Sequence, residues 1–290
     1  MQAERARLIW NPVAGRRPRQ RKAEVARAAE ILGQGGWQVD CRESDAVRGA
    51  RAAAQAAVDE GFTYIIGCGG DGTLREIADV VARAGQEAPA LGVLPMGTAN
   101  VLAAALGCPR EAGAAARWLL RARRTKMLLG EARRGDRVDT FLSVASVGLD
   151  AEVVRRIGVE AKRKWGKLAY AECALRTMAG YFPRPIEYSG GSADGIIFGL
   201  TGFYGGRMRL GAVHAGAPIV LALRGGRRLL CAQALALATV GLERGPGVTR
   251  LVAEELEVTT PGIAVQLDGD TAGVTPLKLG VSERWIEVLG

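Results

Sequence analysis

Residues 62–85 read FTYIIGCGGDGTLREIADVVARAG. Phe62-Thr63-Tyr64-Ile65-Ile66 is an apolar, β-prone run that stops at Gly67, which predicts a strand. Beyond the glycines, Leu74, Ile77, Val80, Val81 and Ala84 recur at helical spacing, and Gly85 closes the helix. Between strand and helix lies Gly69-Gly70-Asp71-Gly72-Thr73. Glycines at such a junction let backbone N–H groups approach an anion, and the following helix N-terminus adds partial positive charge, so phosphate is the natural guest. Asp71 inside the turn would repel a bare phosphate. Two readings of it stand: it holds Mg²⁺ or takes a proton from an attacking hydroxyl, or it caps the helix.

Outward from this stretch the strand–helix alternation repeats. Leu8-Ile9-Trp10 is a short strand ended by Asn11-Pro12, and Val25, Ala28, Ala29 and Leu32 mark a helix stopped at Gly33. Trp37 to Cys41 reads as a strand, Val47 to Val58 as a helix, Leu91 to Leu94 as a strand, and Asn100 to Leu106 as a helix. Repeated units of this kind predict an open, mostly parallel α/β sheet with flanking helices, with ligands beyond the carboxyl ends of its strands. The loop Pro95-Met96-Gly97-Thr98-Ala99-Asn100 falls at that same edge, with Thr98 a candidate N-cap.

The pattern changes near residue 125. Short apolar runs follow hairpin-type turns such as Arg133-Arg134-Gly135-Asp136, interrupted by one helical interlude from Ala151 to Gly180. Ile196–Leu200, Ile219–Leu223, Leu229–Leu237, Leu256–Thr260 and Ala264–Leu267 all read as antiparallel strands, predicting a mainly antiparallel β-sandwich. The expected domains are 1–125, α/β, and 126–279, β-rich, with the tail 280–290 packing back onto the first.

The chain has 290 residues, 48% hydrophobic and 24% charged, so a disordered chain, a collagen and a coiled-coil rod are excluded. Its net charge of +9 favours polyanionic partners, but aromatic residues at 5% leave little for stacking on nucleic-acid bases. The basic residues are scattered in doublets, among them Arg16-Arg17 and Arg227-Arg228. Five cysteines without a close pair predict reduced thiols. There is no signal-peptide pattern, and the most apolar stretch, 229–242, is too short for a bilayer span, so a cytoplasmic protein is expected.

Together, strand-G-G-D-G-T-L-x-E-helix, the P-x-G-T-A-N loop and Asn11-Pro12-x-x-Gly15 resemble the diacylglycerol kinase catalytic-domain family, which includes bacterial lipid kinases and sphingosine and ceramide kinases, with NAD kinases more distant. Residues 141–151 (FLSVASVGLDA), Lys164-Trp165-Gly166-Lys167 and Leu267-Asp268-Gly269-Asp270 agree in order. The resemblance implies a two-domain kinase with ATP and Mg²⁺ between the domains. Asn11, Gly69, Gly70, Gly72, Thr73, Gly97, Thr98 and Asn100 would hold the nucleotide, and Asp71 would sit at the metal and the reacting hydroxyl. Asp270 stands where the family usually has Glu, as general base or its partner. The expected substrate is a hydroxyl of a membrane lipid, diacylglycerol by default, met at an anionic membrane surface by a peripheral protein on its cytoplasmic side. No nucleic-acid partner is expected, and homodimer formation is left open.

The chain departs from the family pattern at several places. Val101 stands where Asp often follows G-T-A-N, Thr125–Gly130 (TKMLLG) lacks an Asp, and Arg224-Gly225-Gly226 replaces an Asp-Gly pair. Ala14 and Arg75 replace Ser and Asn. Arg75 either pairs with phosphate or is solvated; His214 reads as a turn residue and Asp150 as a turn or cap. Two alternatives stand beside the lipid kinase: an NAD kinase-like enzyme with a soluble acceptor, since the G-G-D-G loop fits both, and a lipid- or nucleotide-binding homologue that has lost catalysis, motivated by these losses.

Overall fold

The computed structural model describes residues 4–12, 18–45, 49–85, 87–157, 167–213 and 216–290. Ala14, Gly15, Arg16-Arg17, Val47, Lys164-Trp165-Gly166 and His214 lie outside these described residues. The chain begins β1 (Arg5–Trp10), α1 (Pro18–Gln34), β2 (Gln38–Glu43), α2 (Arg51–Asp59), β3 (Tyr64–Gly69), α3 (Asp71–Ala84), β4 (Ala90–Pro95), α4 (Val101–Ala105) and α5 (Ala112–Leu119). It continues with β5 (Arg124–Arg134), β6 (Arg137–Phe141), β7 (Val144–Val147), α6 (Leu149–Arg156), α7 (Lys167–Gly180), β8 (Ile186–Tyr188), β9 (Gly191–Ala193) and β10 (Gly195–Gly199). The ribbon β11 (Phe203–Tyr204) with β12 (Met208–Arg209) follows, then β13 (Ile219–Leu223), α8 (Gly226–Ala238), β14 (Val248–Leu251), β15 (Glu255–Val258), β16 (Ala264–Leu267), β17 (Asp270–Val274) and β18 (Leu277–Leu289). Two compact units result: Met1–Leu128 with Arg284–Gly290, and Leu129–Glu283.

In the first unit β2, β1, β3, β4 and the end of β18 run parallel in that order. β3 and β4 are buried along their whole length. Gly67 has no side chain because α3 crosses it there: a Cβ would lie 2.4 Å from the Leu74 side chain. The open α/β architecture read from the strand–helix alternation is therefore present, with its helices packed on the sheet.

The second unit is a sandwich. One layer is an antiparallel sheet ordered β14-β13-β10-β7-β16-β17. The other is built from the β5–β6 hairpin and from β8, β9, β15 and the first half of β18. Between them Phe141, Ile186, Leu256, Val258 and Leu277 meet Ala145, Ile196, Phe198, Val220 and Val265. The Phe141 and Phe198 rings cross edge to face with centroids 6.0 Å apart, and Gly130 leaves the space that the Phe141 ring fills.

One predicted strand is a helix. Leu229–Leu237 lies inside α8, which begins after Gly225 and Gly226, both at positive φ. An apolar run of this length fits either state, and here composition decides: from Leu229 to Ala238 there are only Leu, Ala, one Cys and one Gln, good helix formers with no β-branched residue. Among the described residues the helical interlude comprises α6 and α7. All five cysteines are free thiols.

Phe141→Ala opens a cavity in the fully buried centre of the sandwich. It is expected to cost about 3–5 kcal/mol, to be read from the shift in urea midpoint at unchanged m-value.

Candidate functional site

In the first unit the parallel register sets three loops on one edge. Trp10 lies opposite Cys68 and Gly69 opposite Pro95, so the chain leaves β1, β3 and β4 side by side at Asn11, Gly70 and Met96. Asn11 N–H donates to Cys68 O at 3.4 Å and Met96 N–H to Gly69 O at 2.9 Å. The two glycine loops are in backbone contact: a Cβ on Gly97 would lie 2.4 Å from Gly70 Cα, and one on Gly70 would lie 3.2 Å from Gly97 Cα. Gly97 has no room for a side chain, and at Gly70 one would be tight against the facing backbone. Thr73, buried, packs its side chain against Gly69, where a Cβ would lie 2.6 Å from Thr73 Oγ1.

The second loop closes on itself through Asn100. This residue adopts the left-handed conformation (φ 53°) at the start of α4, its Oδ1 accepts Gly97 N–H at 2.8 Å, and its Nδ2 donates to Gly97 O at 2.9 Å. The N-cap position belongs to Asn100 and not to Thr98. Two of the donors counted as nucleotide ligands, Gly97 N–H and the Asn100 amide, are thus engaged in shaping the loop.

Asp71 is the first residue of α3, and Gly70 before it is the N-cap, so Asp71 does not cap its own helix in the ordinary way. Its Oδ1 instead accepts the N–H of Leu102 at 3.2 Å, in the first turn of α4. A carboxylate at the head of α3 is thus bonded into the head of α4, where backbone N–H groups lack partners within their own helix. Asp71 therefore ties the two loops together while staying buried at 8% exposure. Val101 beside it is also buried. Glu76, the acid of G-T-L-x-E, accepts Ala50 N–H at 2.6 Å and so holds the start of α2.

Arg21 is a residue the sequence reading missed. It is 2% exposed, and its Nη1 donates to Asn11 O at 2.6 Å, fixing the first loop. Its Nε is buried without a hydrogen-bond partner, and burial lowers its pKa. The available signal was position: Arg21, Val25, Ala28 and Leu32 share one helix face, and extending the apolar stripe backwards reaches Arg21.

Asp270 belongs to the second unit, as the first residue of β17. The turn before it is Asp268-Gly269, both at positive φ. The Asp268 carboxylate accepts the N–H groups of Leu142, Ser143 and Val144 at 2.7, 2.8 and 3.1 Å, so this aspartate anchors the turn to the start of β7. Gly269 N–H donates to Gln266 Oε1 at 2.7 Å. Gln266 Nε2 in turn donates to Ser146 Oγ and to Asp150 at 3.0 and 3.1 Å, and Asp150 also accepts the hydroxyls of Ser146 and Tyr204. Asp150 is thus more than a turn residue: it is the centre of a polar network reaching the turn that precedes Asp270. Although the residue is only half-buried, its carboxylate is enclosed enough that burial pushes its pKa from 3.8 to about 6, against the opposing Ser146 and Gln266 hydrogen bonds.

Among the described residues no three His, Cys, Asp or Glu side chains form a metal-binding group. Arg224 uses its guanidinium to bond Ser192 O, Thr249 Oγ1 and Tyr188 Oη at 2.8–3.2 Å.

An open parallel sheet with glycine loops at its carboxyl edge, joined to a β-sandwich, defines a class also seen in solved structures. A Bacillus anthracis str. Sterne structure superposes over 100% of this chain and 96% of its own with a TM-score of 0.79 at 21% identity. Residues 5–132 match the family model of the Diacylglycerol kinase catalytic domain. The diacylglycerol kinase of Bacillus subtilis (strain 168) is 31% identical over 199 residues, 67% of this chain and 61% of that one. The diacylglycerol kinase of Staphylococcus aureus (strain bovine RF122 / ET3-1) is 30% identical over 167 residues, 58% of this chain and 51% of its own length. The matched stretch thus spans between about half and three fifths of these two relatives.

Because the folded-state pKa of Asp150 is raised, the cost of keeping it ionised is present above about pH 6 and is relieved as pH falls through that value. Asp150→Asn is therefore expected to gain stability relative to the parent between about pH 4 and pH 7, by an amount on the order of 2 kcal/mol. Urea denaturation across that range checks both sign and window. Gly97→Ala is expected to push the two loops apart and to weaken nucleotide binding at least about tenfold, measured by calorimetric titration.

Proposed function

We propose that this protein is an ATP-dependent kinase that phosphorylates a hydroxyl of a membrane lipid, diacylglycerol being the first candidate. The carrying observation is Asp71: one buried carboxylate bonded across two glycine loops at the carboxyl edge of a parallel sheet. The likeness to proteins named diacylglycerol kinase supports the choice of acceptor.

Phosphoryl transfer asks a protein for positioning, charge neutralisation and a route for the hydroxyl proton. Backbone N–H groups at the head of α3 and in the loop after Pro95 would receive the phosphates. The donor set fits Mg²⁺ in its usual kinase form, one protein carboxylate with the remaining ligands from nucleotide oxygens and water. Asp71 would be that carboxylate, and the ion supplies neutralisation of charge on the phosphates. Asp270 would accept the proton of the acceptor hydroxyl, and the Asp268 anchor with the Asp150–Gln266 network would hold its turn in place. The protein would work as a cytoplasmic, peripheral enzyme; no described helix is long and apolar enough to cross a membrane.

Asp71→Asn keeps an oxygen for Leu102 N–H while removing the charge. It is expected to fold normally and to lose turnover by at least about 100-fold. Asp270→Asn is expected to lose activity on a similar scale, while Asp270→Glu retains it. The assay follows phosphate from labelled ATP into diacylglycerol and, in parallel, into NAD. Transfer to NAD alone would make the acceptor soluble, and nucleotide binding with no transfer would mark a homologue without catalysis.

A further inference from the structure

The second unit carries an apolar surface that the chemistry above does not use. From Leu229 to Leu242 there is no charged residue, yet α8 lies at the surface. Its inner side is Gln233 and Ala236, the only two of its residues that are buried. Gln233 fixes the helix by donating to Arg224 O and Pro246 O at 2.9 and 3.1 Å. Cys231, Ala234, Leu235 and Ala238 follow Arg227 at helical spacing on the opposite, exposed side, with Leu235 at 64% and the next apolar residue, Val240, at 56% exposure. A helix without a polar outer face is ordinarily buried.

A second stripe adjoins it. Leu175, Ala179 and Phe182 lie three and four residues apart along the end of α7, all exposed, with Leu175 at 68% and Phe182 at 72%. The two stripes meet at Arg227, whose Nη2 donates to Ala179 O and whose guanidinium stands 5.0 Å from the centre of the Phe182 ring. The charges along this face are predominantly positive. Among the described side chains of α7, of α8 and of residues 181–184, the arginines Arg176, Arg184, Arg227 and Arg228 are set against a single acid, Glu172, which pairs with Arg176 at 2.9 Å.

We propose that the α7–α8 face docks on an anionic lipid bilayer, with Leu175, Phe182, Leu235 and Val240 entering the acyl boundary and Arg184 and Arg228 meeting lipid phosphates. This deepens the lipid-kinase reading and rests on it, since a water-insoluble acceptor must be reached in its bilayer. Charge selects the occupant: apolar insertion bordered by arginine matches an interface of anionic headgroups over hydrocarbon, where both contributions add. Contiguous apolar surface left exposed in this way is otherwise a mark of an interaction site.

The test is co-sedimentation with vesicles of phosphatidylcholine, with and without phosphatidylglycerol. Leu235→Asp and Arg228→Glu are expected to lower the partition coefficient about tenfold each on the anionic vesicles. Val252→Asp, at an exposed apolar position outside both helices, is expected to leave it unchanged. Circular dichroism melting checks that each variant is folded. Turnover on a dispersed short-chain diacylglycerol is expected to survive Leu235→Asp, and turnover on vesicles to fall with binding. Wild-type protein that ignores anionic vesicles, or a folded Leu235→Asp variant that binds them as wild type does, overturns the proposal. So does a Leu235→Asp variant that only splits a dimer in sedimentation velocity. Vesicle binding that follows the predicted pattern without transfer to any lipid would support the docking face and refute the kinase reading separately.

Discussion

The contact between Gly70 and Gly97 is the constraint on which the first unit's site depends. Two strand-to-helix loops approach so closely that a methyl group on Gly97 would collide with the Gly70 backbone. That approach brings the head of α4 within hydrogen-bond reach of the head of α3, and Asp71 occupies the junction. A carboxylate is stable there because helix-terminal amides on both sides have no partner within their own helices. The same amides are what make the region attractive to phosphate. The buried acid and the close pairing of the two glycine loops are therefore two consequences of one packing decision.

The second unit divides its acids by environment. Asp268 receives three backbone N–H groups and fixes a turn, while Asp270, two residues on, opens a strand. Asp150 lies elsewhere in sequence but reaches the same turn through Gln266. Asp268 has the clearest structural task, as an anchor, while burial raises the pKa of Asp150.

Much of this was legible in the sequence because the signals were local. Gly69–Thr73 sits between a β-prone run and a helical stripe, and both neighbours formed as their residues dictate. The sandwich followed from short runs and turn residues such as Gly135, at positive φ between β5 and β6. What failed to show was whatever depends on the third dimension. Leu229–Leu237 was apolar without a decisive period, so only its lack of β-branched residues favoured the helix. Asp71 reaching Leu102, Arg21 reaching Asn11 and Gln266 linking Asp150 to Gly269 are contacts across 31, 10 and 3 to 116 positions that no local pattern encodes. The assignment of Thr98 as N-cap failed for a subtler reason: Thr and Asn are both capping residues, and the left-handed backbone at Asn100 chose between them.

Backbone amide spectra recorded while Mg·ATP is added test the central claim directly. The account predicts that the largest shifts fall on Gly69, Gly70, Gly72, Thr73, Thr98 and Leu102, and that they shrink when the charge of Asp71 is removed. Saturable binding that leaves those amides unmoved and shifts others would contradict it.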